Sequence, residues 1–271
     1  MIPVKYDLWD TAPNGGDYAP YVEHYKPENC TTDAAVVLIP GSGYVANPAL
    51  PKQEGENVAN YLAEQGINVF VVIYRVGSDG CYPNPILDGR RGVRWVRYNA
   101  DKFGVDKSKI ITLGYSAGGH LCASLVSFHA KLSGEGADDI DNESYVPNYQ
   151  ALCYPVISFD TSNKYTHAGS VRHLLGEEYK SLIPEMCFEK SAQAPIPSTF
   201  IFHNFDDASV GVENSLLYAC RLRQLGASVE MHVYPDGGHG VGYGRDTHPA
   251  NEHNKDWLYR FTDWLKYKNL L

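Results

Sequence analysis

Six short runs of β-branched and aromatic residues recur along the chain: "AAVVLIP" (34–40), "INVFVVIYR" (67–75), "KIITLGY" (109–115), "YQALCYPVI" (149–157), "STFIFH" (198–203) and "SVEMHVY" (228–234). The first three lack a polar face, the pattern of strands buried on both sides of a sheet. Between the runs, apolar positions recur at three- and four-residue steps. A helix over 55–65 puts Val58, Tyr61 and Leu62 on one face and stops at Gly66, and a second over 86–103 lines up Val93, Val96, Ala100 and Phe103 before Gly104. Helical spacing starts again directly after Ser116, with Leu121, Leu125 and Val126, and returns over 212–225. The last helix, 254–268, carries Trp257, Leu258, Phe261, Trp264 and Leu265 on one stripe. Strands alternating with helices predict an α/β fold, a mostly parallel central sheet flanked by helices on both faces.

Two segments break the alternation. Residues 131–148, "KLSGEGADDIDNESYVPN", are acidic and turn-rich, and residues 158–197 hold short mixed pieces without a clear strand. Both are expected outside the sheet, 158–197 as a small cap insertion beside the ligand-binding ends of the strands. A length of 271 residues, 44% of them hydrophobic, suits one domain over 1–271 with one substantial core. The net charge of −9 repels phosphate backbones and anionic lipid, so neither nucleic acid nor membrane is an expected partner. The amino terminus shows no basic start followed by an apolar stretch, and no window nears eighteen unbroken apolar residues; the expectation is a cytoplasmic protein. Six scattered cysteines (Cys30, Cys81, Cys122, Cys153, Cys187, Cys220) form no C-x-x-C pair and are expected as free, buried thiols. No stretch marks a dimer interface, which leaves monomer and homodimer both open.

Candidate chemistry centres on "ITLGYSAGGH" (111–120), where a strand pattern breaks into Gly114-Tyr115-Ser116-Ala117-Gly118 and then into helix. G-x-S-x-G at a strand-to-helix junction is the signature of a nucleophile elbow, a strained corner that lifts a serine hydroxyl above the sheet edge beside the amino-terminal amides of the new helix. A serine hydroxyl needs a base, and the base an orienting carboxylate. "FIFHNFDDASV" places Asp206 and Asp207 just after a strand, and "YPDGGHGVG" places His239 in a glycine-rich loop after the next. Asp207 is the preferred acid on its D-x-x-V context, leaving Asp206 as a turn-former or a supporting partner. Glycines around His239 suit an imidazole reaching in from a flexible loop. His120 is expected to pack behind the elbow helix, and His129, His167, His173, His203, His232, His248 and His253 have no comparable setting. An oxyanion needs preorganised donors. The amide of Ala117 is one; "LIPGSGYVAN" (38–47) supplies the amides of Ser42 and Gly43. Neither G-x-G-x-x-G nor a P-loop is completed there.

The segments "IPGSGY", "PNPILDGRRGVRWVRYNADKFGVDKSKIITLGYSAGGHLCASL" and "FHNFDDASVGVENSLLYACRLRQLGASVEMHVYPDGGHG" together resemble the α/β-hydrolase-fold esterases of the acetyl-xylan esterase or feruloyl-esterase-like group, relatives of the hormone-sensitive lipase type, over roughly residues 30–265. The resemblance implies a Ser116, Asp207, His239 triad, an oxyanion hole at Ser42, Gly43 and Ala117, and ester hydrolysis, often of acetyl groups on sugars. One departure stands out: the group's oxyanion loop usually reads Pro-Gly-Gly-Gly-Tyr, and Ser42 replaces the middle glycine here. Its side chain narrows or polarises the acyl pocket, which weighs against bulky acyl groups such as feruloyl.

Such a reaction needs no metal and no organic cofactor, only a small-molecule ester. Tyr44, Tyr115 and Tyr154, among twenty tyrosines, are the candidate sugar contacts near the site. The expected substrate is an acetylated xylo-oligosaccharide or similar sugar. A general short-chain carboxylesterase and a non-catalytic binding protein on the same scaffold remain alternatives; a prolyl-oligopeptidase-type peptidase would need a propeller domain that this length cannot hold.

Overall fold

The computed structural model describes residues 1–49, 52–136, 138–243 and 251–271. The strands β1 (Val4–Asp7), β2 (Tyr21–Tyr25), β3 (Ala35–Ile39), β4 (Asn68–Ile73), β5 (Ile110–Tyr115), β6 (Tyr149–Cys153), β7 (Ser198–Asn204) and β8 (Val229–Tyr234) form one sheet in the order β1-β2-β4-β3-β5-β6-β7-β8. β2 pairs antiparallel with β1 and β4, and every other pairing is parallel. The helices are α1 (Glu56–Glu64), α2 (Asn84–Tyr98), α3 (Ala100–Phe103), α4 (Ser116–Ser127), α5 (Ala168–Leu175), α6 (Phe188–Ser191), α7 (Glu213–Gln224), α8 (Asn251–Asn254) and α9 (Asp256–Tyr267).

All six expected strands are present. The 149–157 run stops pairing at Cys153, because Tyr154 takes φ +37° and turns the chain away. The helix expected over 86–103 is broken at Asn99 into α2 and α3, and the last helix is split into α8 and α9. β1 and β2 lie outside the expectation: "VKYD" and "YVEHY" are short, polar-interrupted stretches at one end of the sheet, and β1 is largely exposed. Residues 158–197 contribute α5 and α6 and none of the strands.

Alternation along the central strands divides the interior into two cores. Val36 and Leu38 of β3 pack with Val58, Leu62, Trp257 and Phe261 of α1 and α9. Val37 and Ile39 pack with Val93, Val96, Leu121 and Leu125 of α2 and α4 on the other face. Period-2 side-chain alternation sends neighbours to opposite faces, so both must be apolar. The chain leaves β3 through α1 to β4 on one side, and β5 flanks β3 on the other. Loops after β3 and β5 therefore diverge around a crevice at their carboxyl ends, the topological switch point where open α/β sheets bind ligands.

The acidic 131–148 segment is strapped down by arginines along one face of α2. Arg90 donates to Glu135 at 2.9 Å and to the carbonyls of Phe128 and Ala130, and Arg91 bonds Asp138 and Asp141. Arg94 reaches the Glu143 carbonyl, and Arg97 those of Ser144 and Val146. Of the six cysteines, all unpaired, Cys122, Cys153 and Cys187 are buried, but Cys30, Cys81 and Cys220 are exposed. That corrects the expectation of burial for half of them: Cys30 and Cys81 lie in loops, and Cys220 is on an outward face of α7. Among the described residues no helix is long and apolar enough to cross a membrane.

The strapped segment yields a pH prediction. Burial pushes the Glu135 carboxyl up, but the Leu132 amide, Arg90 and Arg94 outweigh it, and the hydrogen bond from Arg91 leads the forces holding Asp138 down; both end below the usual range. A folded pKa below the unfolded one gives stability that is present above about pH 4, where unfolded carboxyls titrate, and lost as pH falls through the folded values. Hydrogen exchange of residues 131–148 should therefore accelerate on acidification below about pH 4 relative to the β3–β5 core. Arg91→Met should speed it already at pH 7 and flatten its acid dependence. Equal acid sensitivity in both proteins would contradict the strap.

Candidate active site

Ser116 occupies φ +51°, left-handed backbone that a non-glycine residue adopts only under constraint. The constraint is packing. A Cβ on Gly118 would stand 2.2 Å from the Ile39 carbonyl oxygen and one on Gly114 would stand 2.4 Å from the Gly118 carbonyl oxygen. The two glycines thus let α4 start directly against β3 and β5, and the serine is the corner between them. The Gly41 Cβ position lies 3.0 Å from Ser116 Cβ, so the loop after β3 touches the serine.

Three residues from distant parts of the chain meet at this corner. Ser116 Oγ is 2.8 Å from His239 Nε2, and His239 Nδ1 is 2.6 Å from Asp207 Oδ2. A carboxylate only accepts, so Nδ1 carries the proton and Nε2 offers its lone pair to the serine hydroxyl. The other Asp207 oxygen accepts the amides of Ser209 and Val210, both at 2.9 Å. Burial pushes the Asp207 carboxyl up, yet hydrogen bonds from His203 and His239 and from the Val210 amide overcome it and hold the group far below the ordinary carboxylate range. It is a fixed negative charge under the imidazole. Together the three groups can draw a proton from the hydroxyl and stabilise the resulting imidazolium.

Among the described residues, unpartnered backbone amides lie at the start of α4 and in the loop after β3. Ala117 is the second residue of α4, so its N–H has no acceptor within the helix. Among the described residues no acceptor engages the amides of Ser42 or Gly43. The Ser42 side chain is occupied elsewhere: Oγ accepts the Tyr44 amide at 3.0 Å and sits 2.7 Å from Tyr74 Oη, which donates on to the Pro40 carbonyl. The serine that replaces a glycine thus fastens the turn.

Asp206 accepts the Gly238 amide at 2.8 Å, the supporting role open to it in the sequence. Asn204 holds the Gly238 carbonyl, the Gly242 amide donates to Tyr154 Oη, Trp257 donates to the Gly242 carbonyl, and the Tyr243 amide bonds the Gln53 carbonyl. The loop carrying His239, expected to be flexible, is pinned on both flanks instead. His120 is buried, stacked on Phe159 and hydrogen-bonded to Tyr44, as packing behind the elbow. His248 lies outside the described residues.

The tyrosines call for correction. Tyr44, Tyr115 and Tyr154 are each 0% exposed and do not line the cavity over Ser116, so none can stack on a sugar there. Tyr44 spends its hydroxyl on His120; Tyr154 donates to Glu54 at 3.0 Å, accepts from Gly242, and sets its ring edge-on to His239 at 5.0 Å. Buried Glu54 takes the Gly41 amide with its other oxygen, at 2.9 Å. Glu54 and Tyr154 therefore tie the loop after β3 to the loop of His239.

His203 is a second residue that sequence reasoning passed over. Its Nε2 lies 2.9 Å from the Val210 carbonyl and 3.3 Å from Asp207 Oδ2, and its Nδ1 lies 2.7 Å from Ser215 Oγ. The carbonyl only accepts, so Nε2–H points at Val210 and Asp207 together and Nδ1 accepts from Ser215. The available signal was its spacing four residues before Asp207. A cavity of about 520 Å³ opens over Ser116 and His239, walled by the loop after β3 and by α5. Among the described residues no group of three or more His, Cys, Asp or Glu side chains is arranged to hold a metal ion.

Comparison with known proteins agrees with this architecture. An acetyl ester-xyloside bifunctional hydrolase from Caldicellulosiruptor lactoaceticus superposes with a TM-score of 0.86 at 32% identity, covering 100% of this chain and 99% of that one. In sequence, endo-1,4-beta-xylanase B of Butyrivibrio fibrisolvens is 34% identical over 78% of the chain, and an acetylxylan esterase of Xylanibacter ruminicola is 32% identical over 89%. The chain spans only 33% and 47% of the lengths of those two proteins. The structural likeness establishes the α/β-hydrolase fold of the esterases. With the BD-FAE family model matching residues 22–222, most of its length, the chain belongs to the BD-FAE family.

Proposed function

We propose that this chain is a serine carbohydrate acetylesterase that releases acetate from xylo-oligosaccharides or similar sugars through an acyl-enzyme. The observation that carries the reading is the hydrogen-bonded line from Ser116 through His239 to Asp207, set against the Gly41–Gly43 loop at the sheet's switch point. Ser116 Oγ attacks the acetyl carbonyl while His239 takes its proton; the amides of Ala117, Ser42 and Gly43 receive the oxyanion. His239 then protonates the departing sugar hydroxyl, and water repeats the sequence on the acyl-enzyme. Asp207 keeps the imidazole in one tautomer and balances its charge. His203 and Ser215 act behind Asp207 as positioning residues.

The sugar half of the reading draws on the relatives, an acetylxylan esterase and an acetyl ester-xyloside hydrolase. A short-chain carboxylesterase without sugar preference is the alternative, in keeping with an esterase of Mycobacterium tuberculosis that is 26% identical over 83% of the chain. Six unpaired thiols, three of them exposed, favour a reducing compartment and hence the cytoplasm.

Ser116→Ala should lower kcat on p-nitrophenyl acetate by about 10⁴- to 10⁶-fold with the melting temperature retained; turnover within tenfold of the parent in a clean preparation would refute the nucleophile. His203→Ala should lower kcat by roughly 10- to 100-fold through a misplaced Asp207, with most of the loss recovered in His203→Gln, whose amide can donate along the same direction. An Ala variant with parental kcat would remove His203 from the account. Acetate release from acetylated xylo-oligosaccharides should exceed that from aliphatic acetates in kcat/KM, and the reverse order would favour the general carboxylesterase.

A further inference from the structure

The wall of the cavity beside the oxyanion loop is made by α5 and its capping residue, from the 158–197 segment, and its chemistry differs from that of an alkyl-binding pocket. Val45 is the one aliphatic side chain lining the cavity among the described residues; the α5 side contributes His167, Arg172 and His173.

The hydrogen bonds of the two histidines determine what each presents. His167 caps α5, its Nδ1 accepting from the Ser170 amide at 3.2 Å and lying 2.8 Å from Ser170 Oγ. An amide can only donate, so Nδ1 carries the lone pair and the ring proton of the neutral form is on Nε2. No described residue accepts from that Nε2. Burial, then the nearby His239 and His173, pulls the His167 pKa below its ordinary value, so the ring is neutral at pH 7 with a single fixed donor. His173 has the opposite polarity. Its Nδ1 is 3.0 Å from the Gly43 carbonyl, which only accepts, so Nδ1 carries the proton and Nε2 of the neutral ring is an acceptor. Arg172, one residue before, is exposed and pairs with no carboxylate among the described residues, leaving a planar fork of donors.

A donor, an acceptor and a forked donor at the mouth of a cavity match neighbouring hydroxyl groups, each of which both gives and takes a hydrogen bond. We propose that His167, Arg172 and His173 form the alcohol subsite of the enzyme, and that it recognises a neutral sugar with vicinal hydroxyls, which makes the 158–197 segment the specificity element. The assignment rests on the sugar-ester reading above. The same helix touches the oxyanion loop through His173 and Gly43, so a sugar held on α5 also steadies the amides that receive the oxyanion.

The test compares two acetates, 4-O-acetyl methyl β-xyloside, which keeps the vicinal 2- and 3-hydroxyls, and p-nitrophenyl acetate, in the parent and in His167→Asn and Arg172→Met. Asparagine keeps an acceptor for the Ser170 amide, and Arg172 is exposed, so both variants fold. The ratio of kcat/KM on the xyloside to that on p-nitrophenyl acetate should fall at least tenfold in each variant, mostly through KM on the xyloside. A ratio within twofold of the parent in both variants would overturn the subsite while leaving the acetylesterase reading intact. A parent that hydrolyses p-nitrophenyl acetate but not the xyloside would overturn both. A larger loss in Arg172→Met for acetylated methyl glucuronide than for the xyloside would overturn the neutral-sugar assignment, since the guanidinium would then be serving a carboxylate.

Discussion

The site depends on one constrained backbone position. Ser116 stands at φ +51° because β5 runs into α4 with no intervening loop, and the helix can begin there only if its first turn lies against the Ile39 carbonyl. Left-handed backbone at a non-glycine residue costs on the order of 1–3 kcal/mol and persists only where surrounding packing overdetermines it. Here the overdetermination comes from the two cores on either side of β3 and β5. Their burial supplies the rigidity that holds the serine at the corner, with the first amides of α4 directly after it.

The corner would be useless with mobile partners, and the interactions around it remove their freedom. Asp207 is fixed by two amides and by His203. The His239 loop is held at Gly238 by Asn204 and Asp206, and at Gly242 by Tyr154 and Trp257. Glu54 joins the second of these attachments to the amide of Gly41. His239, Asp207 and the loop after β3 are thus linked through hydrogen bonds made mostly by buried groups, which is how glycine-rich loops can hold a fixed geometry.

What the sequence made legible was what is local. Strands buried on both faces, the strand-to-helix break at Ser116 and the order of Ser116, Asp207 and His239 are carried by neighbouring residues or by element order. Geometry between distant segments was not legible. Twenty tyrosines indicate an aromatic-rich chain, but only the fold reveals that Tyr154 points inward to Glu54, a hundred residues away in sequence. β1 and β2 escaped because exposed, polar-interrupted strands at the end of the sheet do not have the continuous apolar run of central ones. Arg90, Arg91, Arg94 and Arg97 were a signal that the reading of the sequence passed over: helically spaced cations need anionic or carbonyl partners when buried, and the acidic 131–148 segment supplies them.

The most direct measurement of the account is the site and rate of covalent labelling by a fluorophosphonate, followed by mass spectrometry of the intact chain and its peptides. One adduct per chain on Ser116 is the expected result, formed at least a thousandfold more slowly when His239 is replaced by alanine. Labelling at another residue, or at a rate indifferent to His239, would contradict the proposal that this hydroxyl, imidazole and carboxylate act as one nucleophile.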